Sequence, residues 1–233
     1  MKIKISLVSL LLACCAFSFA EEAMTYNEEV GSETVSYSNS FWDDCFLQLA
    51  LGGQTFLGDF SKSDGLMDRM TLMPSLAFGK WWSPYWGTRL QFQGGALHSF
   101  PRQTFMQKDS YFNPHLDAMC NVSQYLEDYI SNSVFNFIPY AGLGFYWRGK
   151  ASDDNHPASK KGYEYNPDGH AGFTIHAGGL FQFRINDLIG CHLDVAGTLL
   201  TDDYLNRWVG GTRLEGIFSV SVGVTLNLDE LLP

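Results

Sequence analysis

Residues 218–228 read Phe218-Ser219-Val220-Ser221-Val222-Gly223-Val224-Thr225-Leu226-Asn227-Leu228. Successive side chains of an extended chain point to opposite faces. Phe218, Val220, Val222, Val224, Leu226 and Leu228 therefore share one side, and Ser219, Ser221, Gly223, Thr225 and Asn227 the other. Strict period two with aromatic and β-branched residues on one face predicts a strand. The second face is the informative one. A strand on a water-soluble sheet turns Lys and Glu to solvent, whereas this one offers only small polar groups.

Outward from this stretch the pattern repeats. Residues 135–147 set Phe135, Phe137, Ala141, Leu143, Phe145 and Trp147 against Asn136, Tyr140, Gly142, Gly144 and Tyr146. Residues 173–186 set Phe173, Ile175, Ala177, Phe181, Phe183 and Ile185 against Thr174, His176, Gln182, Arg184 and Asn186. Fainter versions cover 46–57, 70–81, 87–98, 114–126 and 189–200, which brings the expected strands to eight. Beyond the N-terminus no segment supplies the roughly 20 apolar residues of a membrane-spanning helix. In a bilayer every backbone polar group must be paired internally, so strands cross only as a closed barrel. The prediction is an all-β, eight-stranded antiparallel up-and-down transmembrane β-barrel, its 23 glycines suiting a crowded interior. A soluble lipocalin-like binding barrel of the same strand number is the alternative architecture.

The connections alternate in length. Short ones fall at 83–87, 127–133 and 186–189, and long ones at 58–69, 99–113, 149–170 and 201–212. Short periplasmic turns and long external loops are the pattern of membrane barrels. Trp81, Trp82, Tyr85 and Trp86 bracket the first short turn and are expected in the aromatic girdle. Pro74, Pro114 and Pro139 fall within the strands, where proline costs a ladder bond, and so require bulges or strand starts.

The N-terminus is of another kind. Lys2 and Lys4 precede an apolar run over 5–16, and Ser18 and Ala20 occupy the −3 and −1 positions of a cleavage site followed by Glu21-Glu22. This predicts a secretory signal peptide over 1–20, cleaved near Ala20; lipidation at Cys14 is the alternative processing. Residues 21–41 read as a disordered, acidic lead-in, 42–229 as the barrel domain and 230–233 as a C-terminal tail. Loss of Cys14 and Cys15 would leave Cys45, Cys120 and Cys191, an odd and widely spaced set that makes no disulfide framework. A net charge of −10 argues against a nucleic-acid partner, which needs a concentrated basic patch.

Several stretches, in this order and spacing, resemble the transmembrane domain of the outer membrane protein A family in its Bacteroidota form. They are Trp42-Asp43-Asp44-Cys45-Phe46 leading to Leu51-Gly52-Gly53-Gln54-Thr55-Phe56-Leu57-Gly58-Asp59; Pro74-Ser75-Leu76-Ala77-Phe78-Gly79-Lys80-Trp81; Gly87-Thr88-Arg89-Leu90-Gln91; and Phe137-Ile138-Pro139-Tyr140-Ala141-Gly142-Leu143-Gly144. The resemblance, distributed over about 42–228, implies an eight-stranded barrel in the outer membrane of a Gram-negative bacterium. Lipid and lipopolysaccharide are then the expected partners, with the barrel-assembly machinery for insertion. Family members often continue into a peptidoglycan-binding domain and barrels often end in an aromatic, whereas this sequence ends Leu228-Asp229-Glu230-Leu231-Leu232-Pro233. The expectation is therefore a barrel without wall tethering or the usual terminal assembly signal.

The inward faces carry a polar set: Arg89, Asp117, Arg148, Arg184, His192, Asp194, Arg213 and Glu215, with Gln48, Gln91, His115, Asn121, Asn136 and His176. Strand direction puts Arg89, Arg184, His192 and Asp194 in the periplasmic half, and Arg148, Arg213 and Glu215 toward the outside. Arg184 and Asp194 flank a short turn within diagonal reach, so a pair is expected there. Eight strands enclose only enough space for side chains, which favours a packed polar plug over a gate or narrow ion path.

Catalytic candidates are weak. His98 with Ser99, and His192 with Asp194, lack the G-x-S-x-G context of a hydrolase. His170 and His176 beside Asp168 have no recognisable metal spacing, and Asp153-Asp154 and Asp202-Asp203 lack the regular ligand pattern of an EF-hand. No catalytic residue, metal or cofactor is assigned. The expected function is non-enzymatic, in envelope integrity or surface interaction through long loops of unknown ligand. A narrow porin-like channel is the alternative.

Overall fold

In a computed structural model of the chain the described residues are 42, 44–58, 69–102, 105–127, 134–150, 164–201, 205, 207–209 and 215–228. The expected signal peptide, lead-in and C-terminal tail, together with Arg213, lie outside them. Alternating sequence becomes strand throughout: β1 Cys45–Leu57, β2 Thr71–Trp81, β3 Trp86–Arg102, β4 Phe105–Cys120, β5 Phe135–Arg148, β6 Glu164–Tyr165, β7 His170–Arg184, β8 Ile189–Leu200, β9 Trp208–Val209 and β10 Glu215–Asn227. One short helix, α1 Val122–Glu127, follows β4.

Eight of the strands close into an antiparallel barrel in the order β1-β10-β8-β7-β5-β4-β3-β2. Closure is made by β1 and β10, in register from Phe46 opposite Asn227 to Leu57 opposite Gly216. The remaining pair, β6 and β9, makes a separate two-stranded sheet in the connections that precede β7 and β10.

Two sequence expectations change. The connection placed at 99–113 is strand: β3 and β4 continue as a hairpin to Arg102 opposite Phe105, with a register shift after Ser99. These strands have 17 and 16 residues, well beyond the roughly 9–11 that cross a bilayer, so the hairpin stands clear of it. Outside lipid the outward positions Lys108 and Ser110 are polar, which hid the strand from a reading that relied on apolar alternation. The strand placed at 114–126 stops at Cys120. There the Asn121 side chain accepts the Gln124 amide (3.3 Å), an N-cap that starts α1.

The prolines, expected at bulges or strand starts, instead lie within β2, β4 and β5, each where the ladder on one side is missing. The β2–β3 pairing begins at Ser75 opposite Gln93, one residue past Pro74. The β4–β5 pairing stops at Phe112 opposite Trp147 and resumes in the same register at His115 opposite Gly144, skipping Pro114. It ends at Met119 opposite Tyr140, before Pro139.

The two faces are inverted relative to a soluble protein. Leu143, Trp147 and Leu72 on the outer wall are 68%, 66% and 65% exposed, while the inward Arg89, Asp117 and His176 are 1%, 0% and 0%. A soluble barrel would line its interior with those leucines, so the lipocalin-like alternative fails. A continuous exposed apolar wall of this kind marks a lipid-facing surface.

Candidate functional site

The barrel centre is a polar layer built across the lumen. Arg89 on β3 lies directly opposite Asp117 on β4 and donates to its Oδ2 from Nη2 (3.0 Å) and Nε (3.2 Å). Its Nη1 reaches the far wall, to Asp194 Oδ2 on β8 (3.3 Å), and also meets Gln48 Oε1 on β1, two strands away (3.2 Å). The guanidinium lies 4.2 Å from the centre of the Tyr140 ring. The Tyr140 hydroxyl in turn donates to Asp194 Oδ1 (2.5 Å). His115 and His176 both set Nδ1 against Asp117 Oδ1, at 3.0 and 3.2 Å. Buried charges persist when paired and hydrogen-bonded, and this layer supplies both conditions.

Apolar layers bracket it. On the side of the short turns Phe46, Met119, Ile138, Leu180 and Ala196 pack together with Tyr140, and Trp81 leans on them. Toward the long loops Phe56, Leu97, Tyr111, Tyr146, Leu200, Leu205 and Ile217 form the second cluster. The loop end carries a further polar cap. Arg207 pairs with Asp109 on β4 and donates to the carbonyls of Pro167 and Gly149 (both 2.9 Å). Arg148 donates to the Asp168 carbonyl (2.6 Å), and the buried Trp208 to Gln107 Oε1 (3.1 Å). Arg207 holds a left-handed backbone (φ 68°) that these contacts over-determine.

The expected lumen residues divide accordingly. Arg89, Asp117 and Asp194 are brought together. His192 is buried in the same wall but sets Nδ1 against Thr225 Oγ1 (3.0 Å). Arg148 belongs to the loop-end cap, and Glu215 is buried at the loop end of β10. The Arg184–Asp194 pair is not made. Arg184 is exposed at the short-turn mouth, in a cavity of about 190 Å³ shared with Asp44, Trp81 and Asn227. Asp194 is taken by Arg89 and Tyr140 instead, because the guanidinium reaches across the lumen rather than along one wall.

Of the expected girdle, Trp82 is exposed, with Nε1 on Thr88 Oγ1 (2.9 Å), and Tyr85 and Trp86 are half-buried. Trp81 departs from it. It shares the inward parity of Ala77 and Gly79, and its ring lies tilted against Phe46 with centroids 6.0 Å apart. His98 and Ser99 fall on opposite faces of β3, and His176 turns to Asp117 rather than to His170. Asp153, Asp154, Asp202 and Asp203 lie outside the described residues. Cys45, Cys120 and Cys191 form no disulfide with one another.

Sequence reasoning missed Arg207, Trp208 and Asp109 because single residues in polar connections carry no periodic signal. It saw His115 and His176 but not their meeting, which depends on register across three strands.

No protein-family model matches the chain. Outer membrane protein 40 of Porphyromonas gingivalis is 30% identical over 236 residues, covering 99% of this chain and 59% of that protein. Outer membrane protein 41 of the same organism is 28% identical over 190 residues, covering 79% and 46% respectively. The chain is an outer-membrane β-barrel protein. It spans less than two thirds of the length of these relatives. The crystal structure of Neisserial surface protein A matches the fold with a TM-score of 0.55 at 6% identity, covering 79% of this chain and 97% of that one. These matches agree with the sequence resemblance to the barrel domain of the outer membrane protein A family. They also place the protein in the Gram-negative outer membrane, its apolar wall in lipid.

Proposed function

We propose that this barrel is a non-catalytic component of the outer membrane that supports envelope integrity and presents a capped, loop-bearing end to the outside. The filled lumen carries the reading. Arg89 is clamped between Asp117 and Asp194, and apolar layers close the barrel on both sides of that clamp. A substrate site or a continuous water path would need a cavity on this axis, and at eight strands the interior is just wide enough for side chains. Lipopolysaccharide and phospholipid are then the partners of the outer wall, and the barrel-assembly machinery the route of insertion. The cap built on Arg207 and Trp208 braces the connections at the loop end as a platform for surface contacts.

Deleting the gene should sensitise cells to SDS and vancomycin, which an intact outer membrane excludes. The wild-type chain, and a chain lacking residues 151–163, should both restore resistance. A deletion strain as resistant as its parent would contradict the proposal.

A further inference from the structure

Asp117 divides its oxygens: Oδ2 takes both hydrogen bonds from Arg89, while Oδ1 faces only the two histidines. His115 and Asp117 stand on β4 and His176 on β7, with β5 between them. They meet because β5 puts glycine at the crossing, Gly142 lying opposite both Asp117 and His176. A Cβ on Gly142 would come within 2.3 Å of Asp117 Oδ1, and one on Gly144 within 2.5 Å of His115 Cβ. The imidazole centroids are 3.8 Å apart, and neither Nε2 has a hydrogen-bond partner among the described residues. Unpaired side-chain atoms also occur elsewhere in the lumen, at Gln91 Oε1 and Asn113 Nδ2, so it is the convergence of the two rings on one carboxylate oxygen that sets this place apart.

Charge admits a cation without selecting its valence, since a divalent ion would turn the core's net −1 into +1. The hydrogen-bonded core holds one guanidinium, Arg89, against two carboxylates, Asp117 and Asp194. With neutral histidines it keeps one net negative charge inside a membrane-spanning wall, where an uncompensated charge is strongly unfavourable. Spacing adds a third observation. Zinc bonds of ~2.0–2.1 Å in tetrahedral geometry put neighbouring ligand atoms about 3.3 Å apart, close to the observed 3.0 and 3.2 Å.

We propose that His115, Asp117 and His176 form a site for a divalent transition-metal ion, zinc being the best fit, inside the barrel. Asp117 Oδ1 and one nitrogen of each imidazole are the ligands, atoms that all lie within 4.8 Å of one another. Each imidazole binds neutral, its N–H on the nitrogen turned away from the ion. Arg89 on Oδ2 fixes the carboxylate, the role that outer-shell partners play at metal sites. The apolar layers on both sides mean that the ion enters while the barrel folds and exchanges slowly afterwards.

The test uses the untagged chain, unfolded in urea, stripped with chelator and refolded into detergent micelles with or without zinc chloride. After an EDTA wash, zinc is counted by mass spectrometry per folded chain, folding being read from heat-modifiable gel mobility. One retained zinc per chain is expected. His115→Gln and His176→Gln should lose it, and His192→Gln, a buried histidine outside the cluster, should keep it. Folded wild type without zinc would overturn the proposal, since a proton on the histidine pair would then balance the charge. Zinc retained equally in both cluster variants would overturn it as well.

Discussion

Arg89 reaches from β3 to carboxylates on two different walls, and each of the three charges is almost fully buried. Taking a guanidinium out of water is costly, and the cost is offset only while both carboxylates stay engaged. Arg89→Met should therefore destabilise the barrel by about 3–5 kcal/mol, because it takes the shared guanidinium from two buried carboxylates. Urea unfolding in lipid vesicles measures this directly, and an unchanged midpoint would exclude the clamp as a stabilising contact. The inward positions of Arg89, Asp117 and Asp194 follow from parity and are readable in the sequence. Their partners are not. The expected Arg184–Asp194 contact rests on proximity along one wall, whereas the actual contact crosses the lumen, a distance that no local sequence pattern encodes. The His115–Asp117–His176 cluster is hidden for a related reason, since it exists only because Gly142 leaves space between non-adjacent strands.

At the scale of the element, period two carries nearly all the information. β10 is the clearest case: its outer residues Phe218, Val220, Val222 and Val224 are exposed, while Ser219, Ser221 and Thr225 are buried. Val222 is 62% exposed near mid-strand, paired with Leu51 and Leu193. Val222→Arg should cost about 2–4 kcal/mol in a bilayer, the penalty of a lipid-facing arginine near the midplane. The unfolding midpoint in vesicles reads it, and an effect below a few tenths would mean that this wall does not face lipid. The same periodicity misplaced the β3–β4 hairpin, where alternation continues but its outer members turn polar above the membrane. It also failed at 121–126, where the Asn121 cap converts the chain to helix. Trp81 shows the limit of reading composition without parity: it looks like a girdle residue beside Trp82, yet points inward onto Phe46.

For the molecule as a whole, barrel closure and strand number were legible because eight alternating stretches behind an export-like N-terminus admit few architectures. What fills the lumen was legible as composition, and what caps it was not, since Asp109, Arg207 and Trp208 meet from connections with no periodic signal. The central claim is that the polar core and its two apolar layers seal the barrel. Single-channel recording of the refolded chain in a planar lipid bilayer tests it most directly. The expected result is insertion, verified by heat-modifiable mobility of the reconstituted protein, without stable conductance steps. Steady ion-conducting openings from the wild-type barrel would contradict it.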